Sequence, residues 1–118
     1  MPEGTFPLGM VLDACPDVMD YSKTGISNWR HFLSVVTIVR PMLGISPSAW
    51  EEAQEAMGEL PAAIVVAAIL QRGEAINSAG GYLRGLTEKA RVGQFSPGPM
   101  LMALIGARKR AKNEKMSA

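Results

Sequence analysis

Apolar residues recur along this chain at spacings of three and four, in separate blocks. Leu8, Val11 and Leu12 make a short first block, and Trp29, Phe32, Leu33, Val36 and Val39 a longer second one. Trp50, Ala53 and Met57 form a third, and Ala62 to Leu70 is apolar on every side. Tyr82, Leu83, Leu86 and Ala90 return to a one-sided pattern, and Met100, Leu101, Leu104 and Ile105 close the series. Spacings of three and four put residues on one face of an α-helix. A stretch apolar all round predicts a helix buried on every side. No clear run of alternating β-branched residues predicts a strand. The pattern therefore predicts an all-α fold, a compact bundle of five to seven short helices around a buried central helix at Ala62–Leu70.

Local signals set the expected boundaries. Residues 1–7 hold two prolines and a glycine and read as an irregular lead-in. Pro16 disfavours continuation of the first helix past Cys15. Ser27 is a cap residue for the next helix, Pro41 predicts a stop or kink near Thr37–Arg40, and Gly44 closes the segment. Ser46-Pro47 predicts a start with proline at the first helical position; Ser48 and Glu51 offer an alternative capping-box register. Gly58 ends that helix and Leu60-Pro61 opens the central one. Asn77 and Ser78 are cap-type residues, and Gly80-Gly81 predicts a sharp turn into a short basic helix. Gly93 reads as the stop that follows it, with Phe95 folding back onto its last turn. Ser96-Pro97 starts a last helix ending in a basic tip. The expected organisation is one helical domain over residues 8–112, with residues 113–118 a frayed tail.

A chain of 118 residues suffices for one domain with a modest core. Its net charge of +1 hides a strong asymmetry. Before Gln71 there are three basic and eight acidic residues, net −5; from Gln71 onward there are nine basic and three acidic, net +6. Such segregation suits an anionic partner, or head-to-tail attraction between copies; an ordinary solvated surface with a basic tail is the plainer alternative. One cysteine, Cys15, excludes an internal disulfide and a multi-cysteine zinc site and fits a reducing cytoplasm. The first residues lack the basic stretch and apolar core of a secretory signal. The longest apolar run is too short to span a bilayer, so no membrane association is expected.

Candidate chemistry points away from catalysis. His31 is the only histidine. A Cys15–His31 dyad would need both in one cleft. Glu51, Glu52, Glu55 and Glu59 read most simply as a solvated helix face, and Gly80-Gly81 lacks the lysine of a phosphate loop. No catalytic residue, metal site or cofactor is expected. Nucleic-acid contact is the sharper option. Arg84, Lys89 and Arg91 on one helix and Arg108, Lys109, Arg110 and Lys112 on the last can neutralise a phosphate backbone if they project the same way, and Tyr82 can stack a base. The same residues also suit a core tyrosine and a solvated or protein-contact face. Protein contact is the third option. Met100 and Met102 suit an adaptable interface at the last helix, and Glu51 and Glu55 an acidic one.

Several separated segments carry a resemblance: Ser27 to Arg30, Val39 to Trp50, Ala67 to Arg72, Ile76 to Thr87 and Phe95 to Leu104. In this order they resemble the C-terminal region of RepC, the replication initiator of repABC-type plasmids and secondary chromosomes in alphaproteobacteria. The resemblance runs from about Leu8 to Ala107. Members of that family are several times longer and carry a DNA-binding winged-helix region in their N-terminal part, so the chain resembles the isolated C-terminal domain or a small free-standing relative. A shorter likeness, Gly81-Tyr82-Leu83 with Leu86, occurs in helical domains of other bacterial replication initiators and primosomal proteins. The resemblance implies a non-catalytic module of the bacterial cytoplasm that supports initiation of plasmid DNA replication. Its implied partners are host replication proteins, another copy of the initiator and, weakly and without sequence preference, origin DNA. The alternative is a genuine DNA-binding domain acting on origin or single-stranded DNA through the basic half.

Overall fold

The computed structural model describes residues 6–117; residues 1–5 of the expected lead-in and Ala118, at the end of the expected tail, lie outside the described residues. Six α-helices and two short 3-10 stretches make up the described residues, with no strand among them. They are α1 (Leu8–Ala14), a 3-10 stretch (Pro16–Tyr21), α2 (Trp29–Met42), α3 (Pro47–Met57), α4 (Glu59–Arg72), a second 3-10 stretch (Gly73–Ala75), α5 (Ala79–Arg91) and α6 (Gly98–Ser117). The all-α expectation and the helix count both hold.

The central helix is α4. Every residue from Ala62 to Ile69 is at most 2% exposed, and α4 touches every other helix and both 3-10 stretches. Ala62, Ala63, Ala67 and Ala68 let neighbouring helices approach closely, while Ile64, Val65, Val66 and Ile69 fill the space between them. Each such aliphatic side chain stabilises the fold by roughly 1.5–3 kcal/mol when fully buried. Around α4, α2 contributes Phe32, Val35, Val36 and Val39, α3 contributes Ala49 and Ala53, α1 contributes Val11 and Ala14, α5 contributes Leu83 and α6 contributes Leu101. Trp29 meets Phe32 edge-on, with ring centroids 5.4 Å apart. Helices α3 and α5 pack on each other, and α1 packs on α6.

Three local expectations are corrected. The cap of α2 is Asn28, whose side chain accepts from the His31 amide at 2.8 Å; Ser27 stands one residue too early to reach that amide. Pro41 does not stop α2, which continues to Met42. It sits on the exposed side of the last turn, where it leaves one helical hydrogen bond unmade. Gly44, the expected close of the segment, is the stop: it stands at φ +79°, and the Ile45 amide bonds back to Arg40 and the Gly44 amide to Pro41, a Schellman closure. Nor do Gly80 and Gly81 form a turn: they lie in the first turn of α5, capped by Ser78 Oγ, which accepts from the Gly81 amide at 3.1 Å. The positive-φ residue of that connection is Gly73.

Other signals act where expected. Ser46 caps α3 through the Ala49 amide at 3.1 Å, with Pro47 in the first turn. Gly58 ends it at φ +96°. Gly93, at φ +71°, closes α5 with the Gln94 amide on Lys89 and the Gly93 amide on Ala90. Phe95 lines a cleft with Ala90, Leu60 and Ile64. The last helix runs on to Ser117, past Asn113 where fraying was expected to begin.

Candidate functional site

The basic residues fall on two helices with different surroundings. On α5, buried Leu83 and Thr87 fix which side faces the core, and the Thr87 hydroxyl is satisfied by the Leu83 carbonyl at 2.8 Å. Arg84 and Arg91 flank that side, seven residues apart, and so overhang α3. There both meet one carboxylate. Glu52 Oε2 lies 3.3 Å from Arg84 and Oε1 lies 3.4 Å from Arg91. Arg84 also donates to Ser48 Oγ at 3.0 Å, and Arg91 to Glu88 at 3.1 Å. The acidic and basic halves of the sequence thus partly neutralise each other inside one molecule. These contacts are exposed and at the long end of charge-assisted geometry, so each is worth about 0–1 kcal/mol. Lys89, on the same helix, is exposed and forms no ion pair among the described residues.

Tyr82 is half-buried, and its hydroxyl accepts from Arg72 at 2.8 Å. The Arg72 guanidinium carbon also lies 5.5 Å from the ring centroid. A base stacking on that face must displace Arg72.

The tip of α6 differs. Every residue from Ala107 to Lys115 is exposed. Arg108 donates to the backbone carbonyl of Asp13, one of the free carbonyls at the end of α1. Lys109, Arg110, Lys112 and Lys115 form no ion pair among the described residues. Ile105, Arg108, Lys109 and Lys112 line one side of a recess of about 240 Å³ completed by Asp13. The tip carries no large apolar side chain between Ala107 and Lys115. The two basic groups therefore belong to separate helix pairs, α5 with α3 and α6 with α1.

The methionine candidates lie on the other half of α6. Met102 is 57% exposed. Met100 is half-buried and lines a groove with Arg72, Pro99, Ala103, Leu104 and Ala107. Of the acidic candidates, Glu51 and Glu55 are exposed one turn apart on α3, with no ion pair among the described residues. Glu52, which makes the contacts, was not singled out as a functional residue. It follows buried Ala49 by three positions, so it flanks the face that α3 presents to α5, and that spacing was the available signal.

Cys15 is buried in the core and His31 has a local hydrogen-bond partner. Burial, and after it the charge of Asp17, pushes the Cys15 thiol up to about 12, so the nucleophilic thiolate is scarce at neutral pH. His31 Nε2 sits 3.1 Å from Ser22 Oγ, whose own hydrogen goes to the Gly25 carbonyl at 2.6 Å. No group of three His, Cys, Asp or Glu side chains among the described residues is placed to hold a metal ion. No described helix is long and apolar enough to cross a membrane.

These features define a small helical module whose charges are paired on one side and free on the other. The chain belongs to the family described as Replication protein C C-terminal region, whose model matches residues 7–107. It is similar to a protein of Rhizobium rhizogenes named "Putative replication protein C", 51% identical over 107 residues, 90% of this chain and 26% of the relative. A protein of the same name from Sinorhizobium fredii (strain NBRC 101917 / NGR234) is 51% identical over 108 residues, 91% of this chain and 27% of the relative. The chain thus spans about a quarter of the length of the curated relatives it matches. No solved structure matches it significantly. The basic tip from Arg108 onward follows the last residue matched by the family model.

Proposed function

We propose that this chain is the non-catalytic C-terminal module of a plasmid replication initiator, supporting initiation through protein contacts and a weak, sequence-independent hold on DNA. The observation that carries the DNA contact is the contrast between the helices. Arg84 and Arg91 are engaged by Glu52, whereas Lys109, Arg110, Lys112 and Lys115 form no ion pair among the described residues and stand on the exposed tip of α6, which carries no large apolar side chain between Ala107 and Lys115. Such a tip attracts polyanions and offers a hydrophobic partner nothing to grip. Neutralising phosphates releases counterions, which gives affinity without base readout. The protein contacts, with host replication machinery or another copy, fall to the acidic side of α3 and to the Met100–Met102 half of α6.

Fluorescence anisotropy of labelled single- and double-stranded DNA, titrated with the chain at several salt concentrations, tests the DNA contact. The expected result is binding whose log affinity falls linearly with log salt. Replacing Lys109, Arg110 and Lys112 by alanine should flatten the slope by roughly 0.9 for each lost phosphate contact on duplex. Absence of binding at low salt by the folded chain rejects the DNA contact and leaves protein contact alone. A slope that instead depends on Arg84 and Arg91 supports the competing DNA-binding domain acting through residues 80–93 together with the tip.

A further inference from the structure

Two surfaces of this chain are complementary yet do not meet within it. One is the outer side of α3, where Glu51 and Glu55 are exposed one helical turn apart and Glu59 follows at the start of α4, also exposed. None of the three forms an ion pair among the described residues, because Glu52 alone receives the arginines of α5. The other is the α6 tip, where Lys109 and Lys112 lie about one turn apart on the recess against α1, beside Arg108, which is held by the Asp13 carbonyl. Besides α4, α3 packs on α5 and α6 packs on α1, and no ion pair among the described residues joins the acidic and basic rows in one molecule.

We propose that the α6 tip of one copy docks along the Glu51–Glu55 face of α3 on a second copy. The contact rests on the reading of this chain as an assembly module, not on its hold on DNA. Between Ala107 and Lys115 the tip contains only Ala107 and Ala111 as apolar residues, so charge is the feature by which this stretch can be recognised. The chain itself supplies an unpaired acidic helix face of matching spacing. Because the two surfaces differ, the contact is head-to-tail. Each copy that has docked its tip still offers its α3, so assembly continues unless a rotation closes a ring. The contact is electrostatic and solvent-exposed, so salt weakens it.

Sedimentation velocity over a range of concentrations tests this, at low salt and near 1 M, where the Debye length is about 3 Å. At low salt the sedimentation coefficient should rise with concentration; near 1 M it should stay at the monomer value. Two double variants then separate the surfaces: Glu51→Gln with Glu55→Gln, and Lys109→Gln with Lys112→Gln. All four side chains are exposed, and circular dichroism checks that each variant keeps its helices. Each variant alone should sediment as a monomer at low salt. Mixed in equal amounts, the intact tip of the first should meet the intact α3 of the second, giving a one-to-one dimer and nothing longer. A wild-type chain that stays monomeric at low salt, a variant that assembles like wild type, or a mixture that fails to pair overturns the contact. DNA anisotropy on the Glu51→Gln, Glu55→Gln variant reports separately on the tip, which that variant retains without gaining a lysine elsewhere. Its loss of DNA binding would count against the DNA reading, whatever the sedimentation shows.

Discussion

Arg84 and Arg91 on α5 and Lys109, Arg110 and Lys112 on α6 look alike in the sequence, yet they meet different neighbours. The α5 pair lies beside a buried face anchored by Leu83, so packing brings it within reach of Glu52. The α6 set lies on a stretch of helix that has left its packing surface behind, since every residue from Ala107 to Lys115 is exposed. Burial on one side of a helix decides which charges find partners. A positive charge is free for an outside partner mainly where the chain offers no opposite charge across a packed interface.

That contrast can be broken at its anchor. Leu83→Ala should cost about 2–5 kcal/mol by chemical denaturation, whereas alanine at Lys109, Arg110 and Lys112 should change stability by less than about 0.5 kcal/mol. If the Leu83 variant unfolds too readily to measure, Leu83→Val gives a smaller loss of the same sign. Next in size is binding: the triple tip variant should bind DNA about tenfold more weakly at low salt, about 1.4 kcal/mol, and anisotropy reads this directly. An equal loss from Arg84→Ala with Arg91→Ala would erase the distinction between the helices. Gly93→Ala, at φ +71° with nothing near its added methyl group, should cost about 1 kcal/mol and loosen the end of α5; thermal melting checks it. The smallest effect sharpens the comparison most. Glu52→Gln should cost less than about 1 kcal/mol in stability yet free Arg84 and Arg91 and raise DNA affinity a few-fold. No gain would mean that α5 is turned away from the nucleic acid even when its arginines are released.

Much of this protein could be read without coordinates. The one-sided spacing of Phe32, Val36 and Val39 and the all-round apolarity of Ala62–Ile69 specify helices and the burial of the central one, because both follow from the period of the helix. Gly58 and Gly93 mark real stops, because a left-handed backbone angle admits little else. The similarity of the segments between Ser27 and Leu104 to replication protein C also survives comparison. Less was legible where two local signals competed. Asn28 prevailed over Ser27 as a cap by its reach to the His31 amide, and Gly80-Gly81 stayed helical because Ser78 capped the turn before them.

By itself, then, the sequence determined the class of fold, the central helix, the segregation of charge and the family, all of which depend on spacing or composition along the chain. Only the tertiary structure decided which charges were left over. Pairing Glu52 with Arg84 and Arg91 joins residues more than thirty positions apart, and Arg72 reaches Tyr82 across the connection between α4 and α5. Such partners are set by which helix faces pack together, and no local pattern records that.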